Sequence, residues 1–441
     1  MRLEGTIASL KGLTQLVDDL PAPVGTLVTV RCADGSRRTG EIVGFDGARA
    51  IVMTLGQTSG VRTGDSVVAE RTAPTTPVGH RMLGRVLNGM GEPIDDRGPI
   101  HETIAAPLMP APLSAMKRRR ITQPLPTGVR CIDMMTTIGR GQRIGVFSGP
   151  GVGKSTLLGS IARNTEAEVN VIALVGERGR EVRDFIEESL GPEGLARSVV
   201  VVATSDESPL LRIRAVMAAC TIAEHFRDQG RDVMLLMDSV TRFAQAQRQV
   251  GLAVGEPPAT KGYTPSVFAL LPLLLERAGA VEGSGSITGI YTILVEGDDL
   301  TEPISDACRG VLDGHIVLTR ELARRGHFPA IDALDSISRV AGDICDAQHI
   351  TARSMLLQLL SAHREVEDLL DIGAYAHGSN PQADVAIALK PRIDELLRQA
   401  PHEREAYEES KRKLLTLAVE AGSMIQGATQ RRPGAVTDRR A

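Results

Sequence analysis

The sequence predicts an α/β protein with a largely parallel sheet, preceded by a small β-barrel and followed by a helical domain. Short β-branched runs broken by Asp-Gly turns occupy Val24 to Glu70. Continuous apolar runs alternate with helical patterns from Gly141 to about Ala341, and helical spacing prevails after Cys345. Because β-branched runs separated by helices are typical of parallel strands buried on both faces, the central region is predicted to be a layered α/β domain.

The composition of the 441-residue chain, with 42% hydrophobic and 24% charged residues, is typical of a soluble globular protein of about two to four domains. A net charge of -4 gives no overall attraction to nucleic acid or acidic lipid, and 2% aromatic residues leave few platforms for base stacking. The five cysteines are far apart, so we expect buried thiols in a reducing compartment rather than disulfides or a zinc site. The polar N-terminus and the lack of a long apolar run predict a cytoplasmic protein without a signal peptide or membrane span.

The first predicted domain is a β-barrel over residues 1–72. It contains three short β-branched runs separated by Asp-Gly turns: Leu27–Cys32, Thr39–Phe45 and Ala50–Leu55. Asp-Gly between such runs is a hairpin signal, and closure into a barrel hides the strand edges. A linker rich in Pro and Thr follows at Arg71–Pro77, so we place the α/β domain at 73–344 and the helical domain at 345–441. The tail after Gly427 is polar and basic, and we expect it to be disordered.

Four consecutive basic residues, Lys117–Arg120, precede a proline-containing loop. Nucleic-acid binding is one interpretation of this run, and a solvated or interface segment is the other. We favour the solvated or interface segment, because no aromatic residue accompanies the four charges.

The strongest motif is the stretch 141–156, GQRIGVFSGPGVGKST, in which an apolar run, a glycine-rich turn and helical spacing follow one another. This is the layout of a phosphate-binding P-loop, where backbone N–H groups and a helix N-terminus converge on an anion. Lys154 is predicted to reach the terminal phosphates and the Ser155 hydroxyl to bind Mg²⁺. The pattern asks for Gly where Ser148 stands, but serine is small; the alternative is a glycine turn with an incidental Lys-Ser. The predicted phosphate-binding residues are Gly149, Pro150, Gly151, Val152, Gly153, Lys154, Ser155 and Thr156.

Charged residues follow the apolar run Val169–Val175, where the carboxyl end of a parallel strand would present them to a ligand. Glu177 could orient the water that attacks a γ-phosphate, and Arg178 could balance the developing charge. Glu181 could hold a metal-bound water. The alternative interpretation is a charged helix start with Glu–Arg pairs.

A further apolar run, Met234–Met237, is closed by Asp238. An aspartate at the end of a hydrophobic strand, downstream of a P-loop, is the Walker B arrangement. Its carboxylate would orient water in the Mg²⁺ shell, because Mg²⁺ keeps several waters and few protein ligands. Arg242 follows one helical turn later and could also face the phosphates.

Arg339 lies in Ser336–Val340, far along the predicted sheet. It could be an arginine finger, which neutralises transition-state charge and is often supplied by a neighbouring subunit. Spacing alone cannot place it, and by itself favours a surface arginine at the domain junction.

Together, these stretches resemble the rotary-type ATPases that include the F1 catalytic subunits, and most of all the type III export ATPases of flagella and injectisomes. The resemblance spans nearly the whole chain. Besides the P-loop, its most specific stretches are Thr127–Asp133, Gly176–Glu181, Val254–Phe268, Glu276–Gly279, Leu312–Ile316 and Pro329–Ser338. The resemblance implies a RecA-like P-loop ATPase core that uses ATP and Mg²⁺.

The resemblance also assigns roles to matching residues. Lys154 and Ser155 match the phosphate and Mg²⁺ positions, and Glu177 matches the carboxylate that activates water. Arg339 matches an arginine that acts across a subunit interface. Phe328 matches the aromatic position that packs on adenine, where the family often has Tyr. Because one polypeptide carries both Glu177 and Arg339, the resemblance implies a homo-oligomeric ring, by analogy a hexamer.

The partners that the resemblance implies are a stalk-like export regulator, a central coiled-coil export protein, a membrane export gate and chaperone–substrate complexes. It implies no specific nucleic acid, and a peripheral position at the inner membrane on the cytoplasmic side. The sequence has little before the barrel, whereas family members carry a longer amphipathic segment that contacts the regulator. This departure weakens the expectation of regulator binding.

Three alternatives within and beyond this family follow from the same residues. The stretch Gly255–Tyr263 separates the chain from the F1 catalytic subunit, but flagellar and injectisome ATPases are both compatible with it. A hexameric nucleic-acid motor shares the ATPase core, yet the predicted barrel contains one aromatic residue, Phe45, and so lacks a stacking surface. A noncatalytic ring partner that only binds nucleotide is disfavoured by Glu177.

Overall fold

A computed structural model describes residues 3–295, 297 and 299–430. The chain forms two compact units. The first contains the chain up to residue 120 with residues 140–149 and 167–313, and the second contains residues 121–139, 150–166 and the chain from 314 onward. The three-domain division predicted from the sequence, with boundaries after residues 72 and 344, stays a prediction.

The first unit begins with six strands that close into an antiparallel barrel. They are β1 (Glu4–Lys11), β2 (Thr14–Asp18), β3 (Leu27–Arg31), β4 (Arg37–Asp46), β5 (Arg49–Thr54) and β6 (Ser66–Arg71). Their order around the barrel is β1-β2-β5-β4-β3-β6. Alternate side chains point inward and form an aliphatic core that includes Ile7, Val17, Val28, Ile42 and Val52. The predicted N-terminal barrel is confirmed.

The barrel begins earlier than the run from Val24 indicates, because β1 and β2 precede that residue. Strand β1 reads EGTIASLK and contains one β-branched aliphatic residue, Ile7, which is fully buried. A strand with so little intrinsic preference is stabilised by its pairing with β2 and β6 rather than by its own sequence.

The rest of the first unit is built on a parallel sheet. The strands that follow the barrel in this unit are β7 (Thr75–Val78), β8 (Arg85–Asn88), β9 (Ile104–Pro107), β10 (Arg143–Ser148), β11 (Val169–Val175), β12 (Ser198–Ala203), β13 (Asp232–Asp238), β14 (Gly279–Ala280) and β15 (Ser286–Leu294). Six of them are parallel neighbours in the order β10-β15-β13-β11-β12-β8. Strand β14 pairs antiparallel with β15, and β7 pairs antiparallel with β9. Every residue of β11 and β12 is buried, which explains their continuous apolar sequences.

Helices alternate with these strands and continue to the end of the described residues. In chain order they are α1 (Arg130–Met135), α2 (Lys154–Asn164), α3 (Gly179–Asp184), α4 (Gly191–Ala196), α5 (Pro209–Asp228), α6 (Val240–Val254), α7 (Pro265–Leu275), α8 (Pro303–Val311), α9 (Arg320–Arg324), α10 (Ala341–Ile344), α11 (Ala347–Asp371), α12 (Pro381–Leu397) and α13 (Tyr407–Gln430). A π-helical segment, Phe185–Leu190, connects α3 to α4. Helices α5, α6 and α7 share one apolar core with the parallel sheet, which includes Val201, Ala219, Leu235, Phe243 and Tyr291.

The second unit contains α1, α2, an antiparallel pair formed by β16 (Gly314–Leu318) and β17 (Ile331–Ser338), and helices α9 to α13. Helices α11, α12 and α13 pack against one another, with Leu356, Leu389 and Leu414 buried. The predicted helical region after Cys345 is confirmed. Helix α13 continues past Gly427, where we expected a disordered tail, and residues 431–441 lie outside the described residues.

One residue of the basic run Lys117–Arg120 forms hydrogen bonds and an ion pair within the first unit. Arg118 Nη1 donates to the Ala278 carbonyl oxygen at 3.0 Å, and Nη2 lies 2.9 Å from the Glu276 carboxylate. The other three basic side chains are exposed. Arg118 therefore has a structural role, and the remaining charges form a solvated surface.

All five cysteines are free thiols, and four of them are buried. Burial raises the pKa of Cys131, Cys220 and Cys308 to about 12. These three side chains therefore stay protonated and act as small apolar residues, as the sequence predicts.

A shielded ion pair anchors β8 in the first unit. The Arg85 Nε and Nη2 groups each donate to Asp95 at 2.7 Å, and the Val86 N–H donates to the same carboxylate at 3.0 Å. The two charged side chains are only 12% and 9% exposed. The Arg85 hydrogen bonds lower the pKa of Asp95 to about 2.

We expect Asp95→Asn to lower the free energy of unfolding at pH 7 by about 2 kcal/mol. Because the folded-state pKa lies below the unfolded-state value, the carboxylate stabilises the fold above about pH 4, and this stabilisation is lost as the pH falls towards 2. Denaturant unfolding of the wild type and of Asp95→Asn should be measured from pH 7 to pH 3. The difference between their free energies of unfolding should become smaller as the pH falls. The exposed pair Arg81–Glu102 supplies a control, Glu102→Gln, which should leave stability nearly unchanged. A difference in the free energy of unfolding between wild type and Asp95→Asn that does not depend on pH would contradict this role of Asp95.

Candidate active site

Three predicted site segments meet at the carboxyl edge of the parallel sheet in the first unit. Strand β10 ends just before Gly149, β13 ends at Asp238, and β11 ends shortly before Glu177. Asp238 is the Cα partner of Leu174 on β11. This edge is where parallel α/β sheets bind their ligands. The structure therefore brings Gly149, Glu177 and Asp238 to one edge, as the strand pattern predicts.

The Asp238 carboxylate is buried and hydrogen-bonded to the neighbouring strand. It is 3% exposed, and its Oδ1 accepts a hydrogen bond from the Thr292 hydroxyl of β15 at 2.8 Å. The next residue, Ser239, is the N-cap of α6 and accepts from the Arg242 N–H at 3.3 Å. A buried carboxylate at a strand end can orient water molecules around a cation without moving itself.

Arg242 packs against the backbone that leads to Glu177. Gly176 has φ +73°, and a Cβ atom at this position would lie 2.8 Å from the Arg242 Cβ. Arg242 Nη1 donates to Gln245 at 3.2 Å. Burial lowers the pKa of Arg212, and the nearby Arg242 guanidinium lowers it further. The two guanidinium groups therefore lie near enough to repel each other.

We expect Gly176→Ala to reduce kcat/KM for ATP at least about tenfold, because the left-handed backbone disfavours Ala and the new methyl group displaces Arg242. Steady-state phosphate release measures the effect. Gly179→Ala is a matched control, since a Cβ atom there would meet nothing within 4 Å. The control should stay within about twofold of wild type. Equal activities of the two variants would show that the packing of Gly176 on Arg242 does not position the site.

The charged residues after Gly176 differ in their surroundings. Glu177 is half-buried, and its carbonyl oxygen accepts from the Ser205 N–H at 3.0 Å. Arg178 and Glu181 are exposed and form an ion pair with an N–O distance of 3.1 Å. This pair is the charged helix start that we named as the alternative interpretation. An exposed pair of this kind contributes little stability, so both side chains can turn towards a ligand.

The second unit carries the remainder of the P-loop. Helix α2 begins at Lys154, its N-cap is Gly153, and no side chain caps it. Gly151 and Gly153 have φ values of +79° and +87°, which suit glycine, and a Cβ at Gly151 would meet nothing within 4 Å. Lys154 is half-buried, and Ser155 is exposed. The helix therefore presents uncapped N–H groups, a lysine and a hydroxyl, which together fit a polyphosphate with its Mg²⁺.

Phe328 lies beside this loop within the second unit. Its ring atoms Cδ1 and Cε1 are 3.5 Å from the point where a Cβ at Gly153 would stand. The Phe328 side chain is 44% exposed although it is a large apolar group. An exposed aromatic face next to a phosphate-binding loop is suited to stacking on a base.

Arg339 directly follows β17 and is exposed. Exposure is compatible both with the surface arginine that spacing alone favours and with an arginine that serves a neighbouring subunit. Its role stays a prediction.

Several residues that pack at the C-terminal end of α2 in the second unit were assigned no role from the sequence. The Asp133 carboxylate accepts from the Thr127 N–H at 2.8 Å, the Thr127 hydroxyl at 2.7 Å and the Gly128 N–H at 3.0 Å. Gly128 is packed so closely that a Cβ would lie 2.3 Å from Cβ of Asn164, the last residue of α2. Burial raises the pKa of Asp133 to about 7. The stretch Thr127–Asp133 thus packs against the C-terminal end of α2. The residue pattern of the stretch does not indicate this contact.

Metal binding by protein carboxylates alone finds no support in the described part of the chain. It contains no group of three or more His, Cys, Asp or Glu side chains arranged to hold a metal ion. The Ser155 hydroxyl of the second unit and the buried Asp238 carboxylate of the first unit are each an oxygen group of the kind that Mg²⁺ uses while it keeps several waters.

Comparison with known proteins supplies the family. Matching family models are the nucleotide-binding domain of the ATP synthase alpha/beta family over residues 128–338, the beta-barrel domain of that family over residues 12–71, and the T3SS EscN ATPase C-terminal domain over residues 345–416. The flagellum-specific ATP synthase of Treponema pallidum is 51% identical over 411 residues, which cover 92% of this chain and 91% of that protein. This chain belongs to the type III export ATPase family.

Other members of this ATPase family are similarly close. The flagellum-specific ATP synthase of Pseudomonas aeruginosa is 48% identical, and the alignment covers 94% of this chain and 93% of that protein. The type 3 secretion system ATPase of Xanthomonas euvesicatoria is 47% identical, with 92% of both chains covered. The resemblance inferred from the motifs is confirmed.

Solved structures agree with the fold of this export ATPase. The assembled ATPase EscN of the enteropathogenic E. coli type III secretion system has a TM-score of 0.88 at 41% identity, covering 94% of this chain and 100% of EscN. EscN in complex with its central stalk EscO has a TM-score of 0.86 at 40% identity and covers the same shares. The predicted architecture of barrel, parallel nucleotide-binding domain and helical region is confirmed, and the protein is an ATPase.

Proposed function

We propose that this ATPase hydrolyses Mg-ATP to drive protein export by a flagellar type III apparatus, releasing rod, hook and filament subunits from their chaperones. The observation that supports the flagellar assignment is the 51% identity to the flagellum-specific ATP synthase of Treponema pallidum, against 47% to the type 3 secretion system ATPase of Xanthomonas euvesicatoria. An injectisome role is the second candidate, favoured by the 47% identity to the Xanthomonas enzyme. A nucleic-acid motor is less well supported, because the barrel sequence holds a single aromatic residue, Phe45.

The proposed roles on the nucleotide begin with the P-loop. The N–H groups of Gly149–Thr156 and the Lys154 ammonium bind the β- and γ-phosphates, and Phe328 stacks on the adenine. The Ser155 hydroxyl ligates Mg²⁺, and Asp238 orients water in its shell. When bound, Mg²⁺ neutralises charge on the phosphate oxygens.

The proposed roles in the chemical step belong to charged residues. Glu177 orients a water molecule and accepts its proton as the water oxygen bonds to the γ-phosphorus and the bond to the β–γ bridging oxygen breaks. Arg178 and Arg242 balance negative charge on the phosphates, and Glu181 holds a metal-bound water. Arg339 stabilises the transition state in the active site of a neighbouring subunit.

The proposed assembly is a homo-oligomeric ring, by analogy a hexamer, that contacts a stalk-like regulator, a central coiled-coil protein, the export gate and chaperone–substrate complexes. Support for the ring and the stalk comes from the assembled EscN structures, one of which contains the stalk EscO. None of the helices in the described ranges has the length and apolar character needed to cross a membrane. We propose that the enzyme works in the cytoplasm and reaches the inner membrane through the export apparatus.

We expect the specific ATPase activity to rise cooperatively with protein concentration, because Arg339 would complete the site of another subunit only after assembly. Phosphate release measured over a dilution series, beside sedimentation of the same samples, tests this expectation. A specific activity that stays constant in a sample that sediments as a monomer would contradict the ring.

Deletion of the gene tests the export pathway. We expect loss of the external flagellar filament and of hook-protein export, with recovery by wild type but not by Lys154→Ala. Normal flagella together with loss of another type III secretion activity would overturn the flagellar assignment and favour the injectisome.

A further inference from the structure

Gln399 lies in the loop after α12, and its side-chain amide is fully hydrogen-bonded within the second unit. Its Oε1 accepts from the Arg130 N–H at 2.8 Å. Its Nε2 donates to the Gly128 carbonyl oxygen at 2.8 Å and to the Glu403 carbonyl oxygen at 2.9 Å. A side chain that uses both amide hydrogens and its oxygen has one well-defined position.

The backbone of the same residue is joined to Phe328. The Gln399 N–H donates to the Phe328 carbonyl oxygen at 2.9 Å. Because the Phe328 ring is 44% exposed, side-chain packing surrounds it only in part, and this backbone bond helps to fix the position of the ring beside Gly153.

Residues in and next to the Gln399 loop also contact α2, the helix that begins at the P-loop. Gly128 packs on Asn164 at the end of α2. The Pro401 carbonyl oxygen accepts from the Ser160 hydroxyl at 3.1 Å and from Arg163 Nη2 at 2.5 Å, and both donors lie on α2. One loop is therefore hydrogen-bonded both to the helix that begins at the phosphate site and to the backbone of Phe328.

We propose that Gln399 is a positioning residue that sets the place of Phe328 relative to the P-loop and so determines the affinity for the nucleoside part of the nucleotide. This inference rests on the proposed contact of Phe328 with adenine. The Gln399 side chain is bonded to the backbone of Gly128, Arg130 and Glu403, so we expect its loss to change the affinity for the nucleoside more than the affinity for the phosphate groups.

The test uses a fluorescent reporter at the base position. The chain contains no tryptophan, so Phe328→Trp introduces a single indole whose emission should change when ADP binds. Adding Gln399→Met, which keeps the length of the side chain and removes its hydrogen bonds, should weaken ADP binding about tenfold. The affinity for inorganic pyrophosphate, measured by competition with ADP, should differ less than about twofold between the proteins with and without Gln399→Met. Without the reporter, Gln399→Met should raise KM for ATP about tenfold and leave kcat within about twofold.

Two further variants distinguish a specific effect on ADP binding from a general loss of stability. Gln399→Asn keeps the amide on a shorter side chain and should weaken ADP binding less than Gln399→Met, which provides a test even if Gln399→Met fails to fold. Arg353→Met removes another link within the same unit, the 2.7 Å bond from Nε to the Met135 carbonyl oxygen. It should lower thermal stability without changing ADP affinity.

Unchanged ADP affinity in folded Gln399 variants would overturn the proposal, as would equal weakening of ADP and pyrophosphate. A different result would reject the premise instead: if Phe328→Trp binds ADP in equilibrium dialysis without a change in emission, Phe328 does not contact the base.

Discussion

Glu177→Gln is expected to abolish ATP hydrolysis, with a loss of at least about 100-fold in kcat, while nucleotide binding persists. The substitution keeps the size and hydrogen-bonding reach of the side chain and removes its ability to take a proton from water. Glu177 is half-buried and follows β11 at the sheet edge where Asp238 ends β13. No phosphate-binding group is altered, so the affinity for ATP should stay within a few-fold of wild type.

The measurements are steady-state phosphate release and equilibrium binding of a labelled nucleotide to the same preparation. Glu187→Gln is the matched control, because Glu187 lies in the helical segment that follows the Glu177 loop, is 59% exposed and pairs only with Arg183 among the ion pairs that the described residues form. The control should retain wild-type turnover. Undiminished turnover of Glu177→Gln would remove Glu177 as the water-activating residue.

Arg339→Ala is expected to lower kcat about 1000-fold, the lower end of the effect of removing an arginine finger. Arg339 is exposed at the end of β17, where a side chain can reach a second molecule. Since the arginine would act only in the transition state, KM for ATP should change far less than kcat. Arg324→Ala, a change of another exposed arginine in the same unit, should leave kcat unchanged.

Mixing the two inactive variants tests whether Arg339 acts across an interface. A ring that combines Arg339→Ala and Glu177→Gln subunits contains some interfaces with an intact Glu177 on one side and an intact Arg339 on the other. We expect partial recovery of hydrolysis in such mixtures and none in either variant alone. No recovery in rings shown to be mixed would place Arg339 in its own subunit or outside the reaction.

Much of the fold could be predicted because it depends on local sequence. Strand Val169–Val175 has the predicted bounds, and β13 ends at Asp238 as the Walker B interpretation requires. Both strands are buried over nearly their whole length, so their sequences are continuously apolar. The strands of the barrel before Val24 were missed, because β1 has few branched residues and is stabilised by pairing.

The sequence by itself determined the P-loop, since the left-handed turns at Gly151 and Gly153 and the helix that starts at Lys154 follow from neighbouring residues. It also determined the family through its motifs. Only the tertiary structure decided which distant residues lie beside that loop and its helix. The packing of Phe328 beside Gly153 and the hydrogen bond from Gln399 to Gly128 join residues more than 150 positions apart. Contacts of this kind depend on how folded elements pack, and local preferences do not encode them.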